Sequence, residues 1–227
     1  MTSAHFDSIA EVYDESLPAH VVEHYLRKRT AFVVEHCPAG TGLDVGCGTG
    51  VLAGRLSAVG FEMTGVDSSD GMLGIMRAAT PQIQAVHATG TALPFNDGTF
   101  ELVLCVAVMH HIAEPNAVRV TLGEMVRVAR PAGRILVWDH NPRNPYWKHL
   151  MARVPQDTGE ERLIPEHEVI GGLRAAGAKV LISQQLGLVP DFVPRGALHA
   201  AATVERAVER SRLASRLGAH NVVLATK

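Results

Sequence analysis

Residues 43–50, LDVGCGTG, constrain the fold of this chain more than any other stretch. An apolar run that stops in a turn with glycine at every second position, and then opens a helical pattern, is the strand-to-helix junction of an α/β fold. Glycine lets such a turn take positive φ and leaves bare backbone for a ligand to lie on. The helix start adds unsatisfied N–H groups. A tight turn without a ligand would read the same way, so the glycines alone leave both readings open. The spacing narrows the ligand. A dinucleotide site is written G-x-G-x-x-G, with the pyrophosphate on the helix N-terminus, whereas Gly46, Gly48 and Gly50 give G-x-G-x-G, with Asp44 just before them. A carboxylate at that lip repels pyrophosphate and attracts an ammonium or sulfonium group, so the expected ligand carries positive charge. This argues against a nicotinamide-dependent oxidoreductase.

The same rhythm continues along the chain. Strands are predicted near 42–45, 63–66, 84–87, 102–107 and 134–138, alternating with helical patterns at about 51–58, 69–78 and 117–129. The last of these ends in Arg130-Pro131-Ala132-Gly133, read as a basic last turn followed by breakers. After Trp138 the pattern changes. Residues 141–145 break the chain, a helix over 165–176 leads to a strand at 180–183, residues 195–217 look helical, and a strand at 221–225 closes the sequence. The second strand ends in Asp67, where α/β nucleotide folds bind ribose hydroxyls. The competing role is an N-cap, since Asp67-Ser68-Ser69-Asp70 precedes a helix.

Composition sets limits. At 227 residues one domain is the prior, and Lys plus Arg at 21 against Asp plus Glu at 23 gives no field to gather nucleic acid. Cys37, Cys47 and Cys105 are odd in number and widely spaced, which fits neither a disulfide framework nor a metal cluster. The N-terminus is polar and mixed in charge, unlike a signal peptide. The longest apolar stretch, 102–109, is too short for a membrane span. The expectation is a soluble, cytoplasmic protein, monomer or homodimer, with a small molecule as its partner.

These residues resemble the class I S-adenosylmethionine (SAM)-dependent methyltransferases of the methyltransferase type 11 kind, in particular the small-molecule enzymes related to the ubiquinone and menaquinone methyltransferases. LDVGCGTG resembles the family's first motif, GVDSSDGML its ribose-binding strand end, and ALPFNDGTFELVLCVAVMHHI the run through its fourth strand. RVARPAGRILV is similar to its fifth-strand approach, with Pro131-Ala132-Gly133 where PGG is usual, and FDSIAEVYD to its N-terminal lid. The resemblance is close over about 40–140. It implies a Rossmann-like, doubly wound α/β fold whose seven-stranded sheet is mostly parallel with an antiparallel last strand. It also implies one domain over 1–227, with lid helices in 1–35, the SAM core in 36–140 and cap insertions in 141–227.

The resemblance further implies site roles. Asp44 lies near the methionine amino group, Gly46, Cys47 and Gly48 under the cofactor, Asp67 and Ser68 at the ribose, Met72 against adenine, and the Val106 backbone on the methionine ammonium. Where the family often has an acidic residue after the third strand, this chain has Thr89, Gly90 and Thr91, and the hydroxyl of Thr89 or Thr91 makes a weaker partner for adenine than a carboxylate.

SAM carries an activated methyl, so a base is needed only where the nucleophile arrives protonated. His110 and His111 follow the fourth strand and His140 the fifth, and a neutral imidazole suits proton removal. Successive residues should point different ways, so at most one of His110 and His111 is expected to meet substrate, His111 before His110. Hydrogen-bonded structural histidines are the alternative. Phe6, Tyr13, Tyr25, Tyr146, Trp147 and Met151 are expected to wall the acceptor, with Tyr13, Tyr146 and Trp147 foremost; no metal site is expected, His20 and His24 included. The implied activity is methyl transfer to O, N or C of a metabolite, with natural-product biosynthesis one setting. The alternative is a SAM-binding protein that transfers no methyl and uses the cofactor structurally or for a rearrangement.

Overall fold

In the computed structural model, which describes residues 3–112, 114–211 and 214–227, the apolar run of the fourth strand lies at the centre of a sheet. Leu102 and Leu104 pack to one face and Val103 and Cys105 to the other, the alternation that a pleated strand imposes. All four are fully buried. Helices cover both faces, which is why a parallel strand reads as an unbroken apolar run.

The strands are β1 (Thr41–Val45), β2 (Glu62–Asp67), β3 (Gln84–His87), β4 (Phe100–Val106), β5 (Ala129–His140), β6 (Lys179–Leu186) and β7 (His220–Thr226). They form one sheet in the order β3-β2-β1-β4-β5-β7-β6. The β1 to β5 pairs are parallel, and β7 runs antiparallel to both β5 and β6. This is the doubly wound, mostly parallel α/β sheet expected from the sequence. The helices are α1 (Ser3–Ile9), α2 (Ala19–His36), α3 (Val51–Ala58), α4 (Asp70–Ala79), α5 (Met109–Ile112), α6 (Pro115–Val128), α7 (Tyr146–Met151), α8 (Glu166–Ala175) and α9 (Leu198–Glu209). On one face α2, α3 and α4 bury Phe32, Leu56 and Met76 against the sheet; on the other, α6 and α8 bury Leu122 and Leu173. The strand order reverses between β1 and β4, and such a switch point opens a crevice at the carboxyl ends of the strands.

Two segments differ from the expectation. Helix α6 stops at Val128, its basic last-turn residue is Arg127, and Arg130-Pro131-Ala132-Gly133 lies within β5. There the register advances from Ala129 to Arg134 while the partner strand advances only from Phe100 to Leu102. A bulge absorbs the excess, with Ala132 at φ 64°. Residues 195–217 are not one helix: α9 lies between 3-10 turns at Arg195–Ala197 and Ala214–Leu217, and residues 212 and 213 are outside the described residues.

Helix α9 is pinned over the sheet edge by one acidic side chain. Glu205 is 1% exposed and accepts hydrogen bonds from His24 Nε2 at 2.9 Å, Lys28 Nζ at 2.5 Å, Leu188 N at 2.6 Å and Val189 N at 3.2 Å. Burial raises its pKa, but the bonds from His24 and Lys28 outweigh that and hold it down at about 2. Removing one partner of a buried charge cluster leaves the others uncompensated. Glu205→Ala is therefore expected to destabilise the protein by ~3 kcal/mol in urea denaturation; a loss below ~1 kcal/mol would mean that α9 docks by apolar contact alone.

Candidate active site

The glycine turn after β1 is built by backbone bonds. Gly46 N and Cys47 N both donate to Val66 O, at 2.7 and 3.0 Å. Gly46, Gly48 and Gly50 have φ of 75°, 53° and 79°. A Cβ at Gly46 would meet the Val108 side chain at 2.5 Å and one at Gly50 the Met76 side chain at 2.5 Å, so these two permit close packing. A Cβ at Gly48 would meet nothing within 4 Å, which leaves that backbone as an open floor. Asp67 ties the floor to β2, its carboxylate accepting from Gly48 N and Ser69 N, both at 2.9 Å. The helix-capping role falls to Ser69, whose Oγ accepts from Met72 N.

The turn forms one end of a cavity of about 550 Å³. Asp44, Gly46, Cys47, Gly48, Asp67, Ser68, Met72, Thr89, Gly90, Thr91 and Val106 line that end. His110, His111, His140, Tyr13, Tyr146 and Trp147 line the remainder, as do Phe6 and Tyr25. Met151 is the exception among the expected wall residues, and packs instead around Trp147 and Leu150.

Lining residues that escaped the sequence reading include Arg29, Asp157 and His220. Arg29 was signalled in outline, because Val22, Tyr25, Leu26 and Arg29 share one face of α2 at helical spacing and all reach the cavity. Its Nε is buried without a hydrogen-bond partner, and burial lowers its pKa. Asp44 is 3% exposed, and burial, with Asp67 beside it, pushes its carboxyl up to about 7.

At the other end, Asp139 is the last residue but one of β5 and is 2% exposed. Its carboxylate accepts from His110 Nδ1 at 2.6 Å, Met109 N at 2.6 Å, His110 N at 3.4 Å and His140 N at 2.6 Å. A carboxylate only accepts, so His110 Nδ1 carries the proton and its Nε2 keeps a lone pair when the ring is neutral. Burial opposes charge on His110, yet Asp139 outweighs it and holds the ring above its usual pKa. His111 and His220 are pushed down to about 3, mainly by burial, and His140 also lies well below the usual value.

The adjacent histidines do not diverge. The short turn of α5 brings both rings to the cavity, 3.9 Å apart, and His140 lies 4.0 Å from His110 and stacks on Trp147 at 3.5 Å. The N-terminal segment closes over them. Phe6 meets His111 edge-on at 5.1 Å, Asp7 accepts from Ser69 Oγ at 2.6 Å and Gly71 N at 2.9 Å, and Asp14 accepts from Thr49 Oγ1 at 3.0 Å.

A glycine floor, two carboxylates and a buried guanidinium at the switch point of a doubly wound sheet define a binding site for a cationic nucleoside-type ligand. Residues 43–137 match the family described as "Methyltransferase domain". The chain is 30% identical over 161 residues to a demethylmenaquinone methyltransferase of Renibacterium salmoninarum, covering 67% of each chain. It is 33% identical over 140 residues to that of Clavibacter sepedonicus, covering 60% of this chain and 56% of that enzyme, so the match spans little more than half of the latter. A SAM-dependent methyltransferase of Thermotoga maritima, described as a possible histamine N-methyltransferase, shares the fold at a TM-score of 0.72, with 20% identity and 99% coverage of both chains. The chain belongs to the SAM-dependent methyltransferase family, and SAM is its cofactor.

The residues fit that cofactor. The open backbone at Gly48, the unpartnered Arg29 Nε and the strained ionisation of Asp44 each lack what SAM presents: surface, carboxylate and cation. Asp44 sets the pH dependence. Its folded pKa is raised above 3.8, so its contribution to the stability of the unliganded protein is fully present below that value and is lost as pH rises through about 7. Across the same interval the carboxylate gains the charge that attracts a cation. SAM affinity measured by calorimetry is therefore expected to rise between about pH 6 and pH 8. Asp44→Asn should flatten that rise and weaken binding without unfolding the chain; an unchanged profile would detach Asp44 from the cofactor.

Proposed function

We propose that this protein transfers the methyl group of SAM to a planar small molecule whose reacting atom enters carrying an acidic proton: a phenol or enol oxygen, or an acidic carbon. The observation that supports this most is the His110–Asp139 pair, which turns a buried imidazole lone pair into the cavity. An amine that arrives neutral needs no such group. The ring-lined wall of Phe6, Tyr13, Tyr146 and Trp147 suits a flat apolar acceptor, and the relatives named for demethylmenaquinone point to the same class.

When bound, SAM supplies a methyl already activated on a cationic sulfur. The chain's residues do the rest. Asp44 holds the ammonium of the methionine portion, Arg29 its carboxylate, Asp67 and Ser68 the ribose, and Met72 the adenine face. Asp139 fixes the His110 tautomer and ring angle, and His110 Nε2 takes the acceptor's proton. His111, a far weaker base at a pKa of about 3, serves as a wall under Phe6. The closed lid excludes water, which keeps the nucleophile positioned.

Incubation with methyl-labelled SAM and a panel of hydroquinones, phenols, enols and amines tests the reading. Labelled phenols, enols or hydroquinones are expected, and His110→Ala should lower turnover about 100-fold to 10,000-fold at unchanged SAM affinity. Label on amines only, or wild-type turnover in His110→Ala, would overturn it. Tight SAM binding with no labelled product from the panel or a metabolite extract would favour use of the cofactor without methyl transfer.

A further inference from the structure

Asp157 lines the cavity and has no part in the methyl-transfer reading. Asp157, in the segment between α7 and α8, has a side chain only 5% exposed, and its Oδ1 is buried with no hydrogen-bond partner. It faces His110 Nε2 and His111 Nδ1, each at 4.0 Å, and the His110 and His111 side chains are 1% and 11% exposed. Contacts of 4.0 Å are too long for hydrogen bonds. A tetrahedral ion with bonds of about 2.0–2.2 Å sets its donors roughly 3.3–3.6 Å apart, so small side-chain rotations would draw these groups onto one ion.

We propose that His110, His111 and Asp157 form a binding site for a divalent transition-metal ion of the zinc, cobalt or nickel class. Their donor atoms all lie within 4.8 Å of one another. Asp139 supplies the outer support that metal-bound imidazoles require, because it holds the proton of His110 on Nδ1 and leaves Nε2 free to ligate. Two imidazoles and one carboxylate select against magnesium and calcium, which prefer all-oxygen shells. Three protein ligands leave a position open toward the cavity, as in a catalytic rather than a structural site.

The other groupings are weaker. Asp139 with His110 and His140 also clusters, but the Asp139 carboxylate is already engaged by four N–H groups. His24 is held by Glu205, and His20 Nε2 bonds Val193 O at 2.7 Å.

The ion and the acceptor's proton contend for one lone pair, so an occupied metal site is an inhibited enzyme. That consequence rests on the reading of His110 as the base; the site itself does not. The test uses the full chain without a histidine tag. Cobalt(II) titration should develop visible d–d bands at one equivalent, displaced by zinc and unaffected by millimolar magnesium. Asp157→Asn and His111→Ala should each weaken cobalt binding by about 10-fold or more while retaining SAM affinity, which shows that the cofactor half remains folded. Equal cobalt binding by wild type and both variants would overturn the site, as would displacement by magnesium. Zinc should suppress methyl transfer, with EDTA restoring it. Zinc that binds at these residues without suppressing turnover would leave the site standing and remove His110 from the role of base.

Discussion

The acceptor end of this protein hangs from a single buried carboxylate. Asp139 sits where β5 leaves the sheet, and an ion so enclosed persists only if its oxygens are saturated. Four N–H groups do this, from Met109, both donors of His110 and the backbone of His140. The chain after β4 must therefore turn sharply to deliver α5, and Ala107 takes φ 57° in doing so. Strain of that kind survives where the surroundings over-determine it. One electrostatic demand thus fixes the exit of two strands, the tautomer of His110 and the stacking of His140 on Trp147.

The cavity is electrically lopsided as a result. Its cofactor end gathers Asp44 and Asp67 with Arg29 against them, and both carboxyls are pushed up by burial. Its acceptor end is lined by imidazoles, three of which resist protonation because they are buried. The first end draws a cationic ligand by charge, whereas the second presents mostly neutral imidazoles with their lone pairs available. That polarity suits a reaction in which positive charge enters on one ligand and is discharged toward a neutral partner.

What was legible in the sequence follows from how local each feature is. The glycine turn, Asp44 and Asp67 are set by a few consecutive residues, and the structure brings them together at one end of the cavity. Residues 51–58 were readable as a helix for the same reason, with glycine before them and a clear apolar stripe. Arg29 and His220 depend on which face of α2 or β7 turns inward; His220 pairs with His140 only through the antiparallel register of β5 and β7. Asp157 lies in an irregular segment with no period to read. The bulge at 130–133 reads as a break because of Pro131 and Gly133, while the sheet pairing on either side carries the strand through it.

The two covers over the site are held with different firmness. The C-terminal cap is tied through the buried Glu205, whose four bonds are shielded from water and cannot be exchanged cheaply. The N-terminal lid rests on Asp7, Asp14 and the edge contact of Phe6. The Asp7 to Gly71 bond is exposed, and water competes for such bonds at little cost. Segments held that way open at the low end of a protein's stability range. Asp7 and Asp14 grip Ser69 and Thr49, beside the carboxylate and glycines of the cofactor end, while Phe6 meets His111 at the other end. On the proposed reading, one segment then both shields the reaction from water and lies in the path of cofactor exchange, while the stacking of His140 on Trp147 does not depend on it.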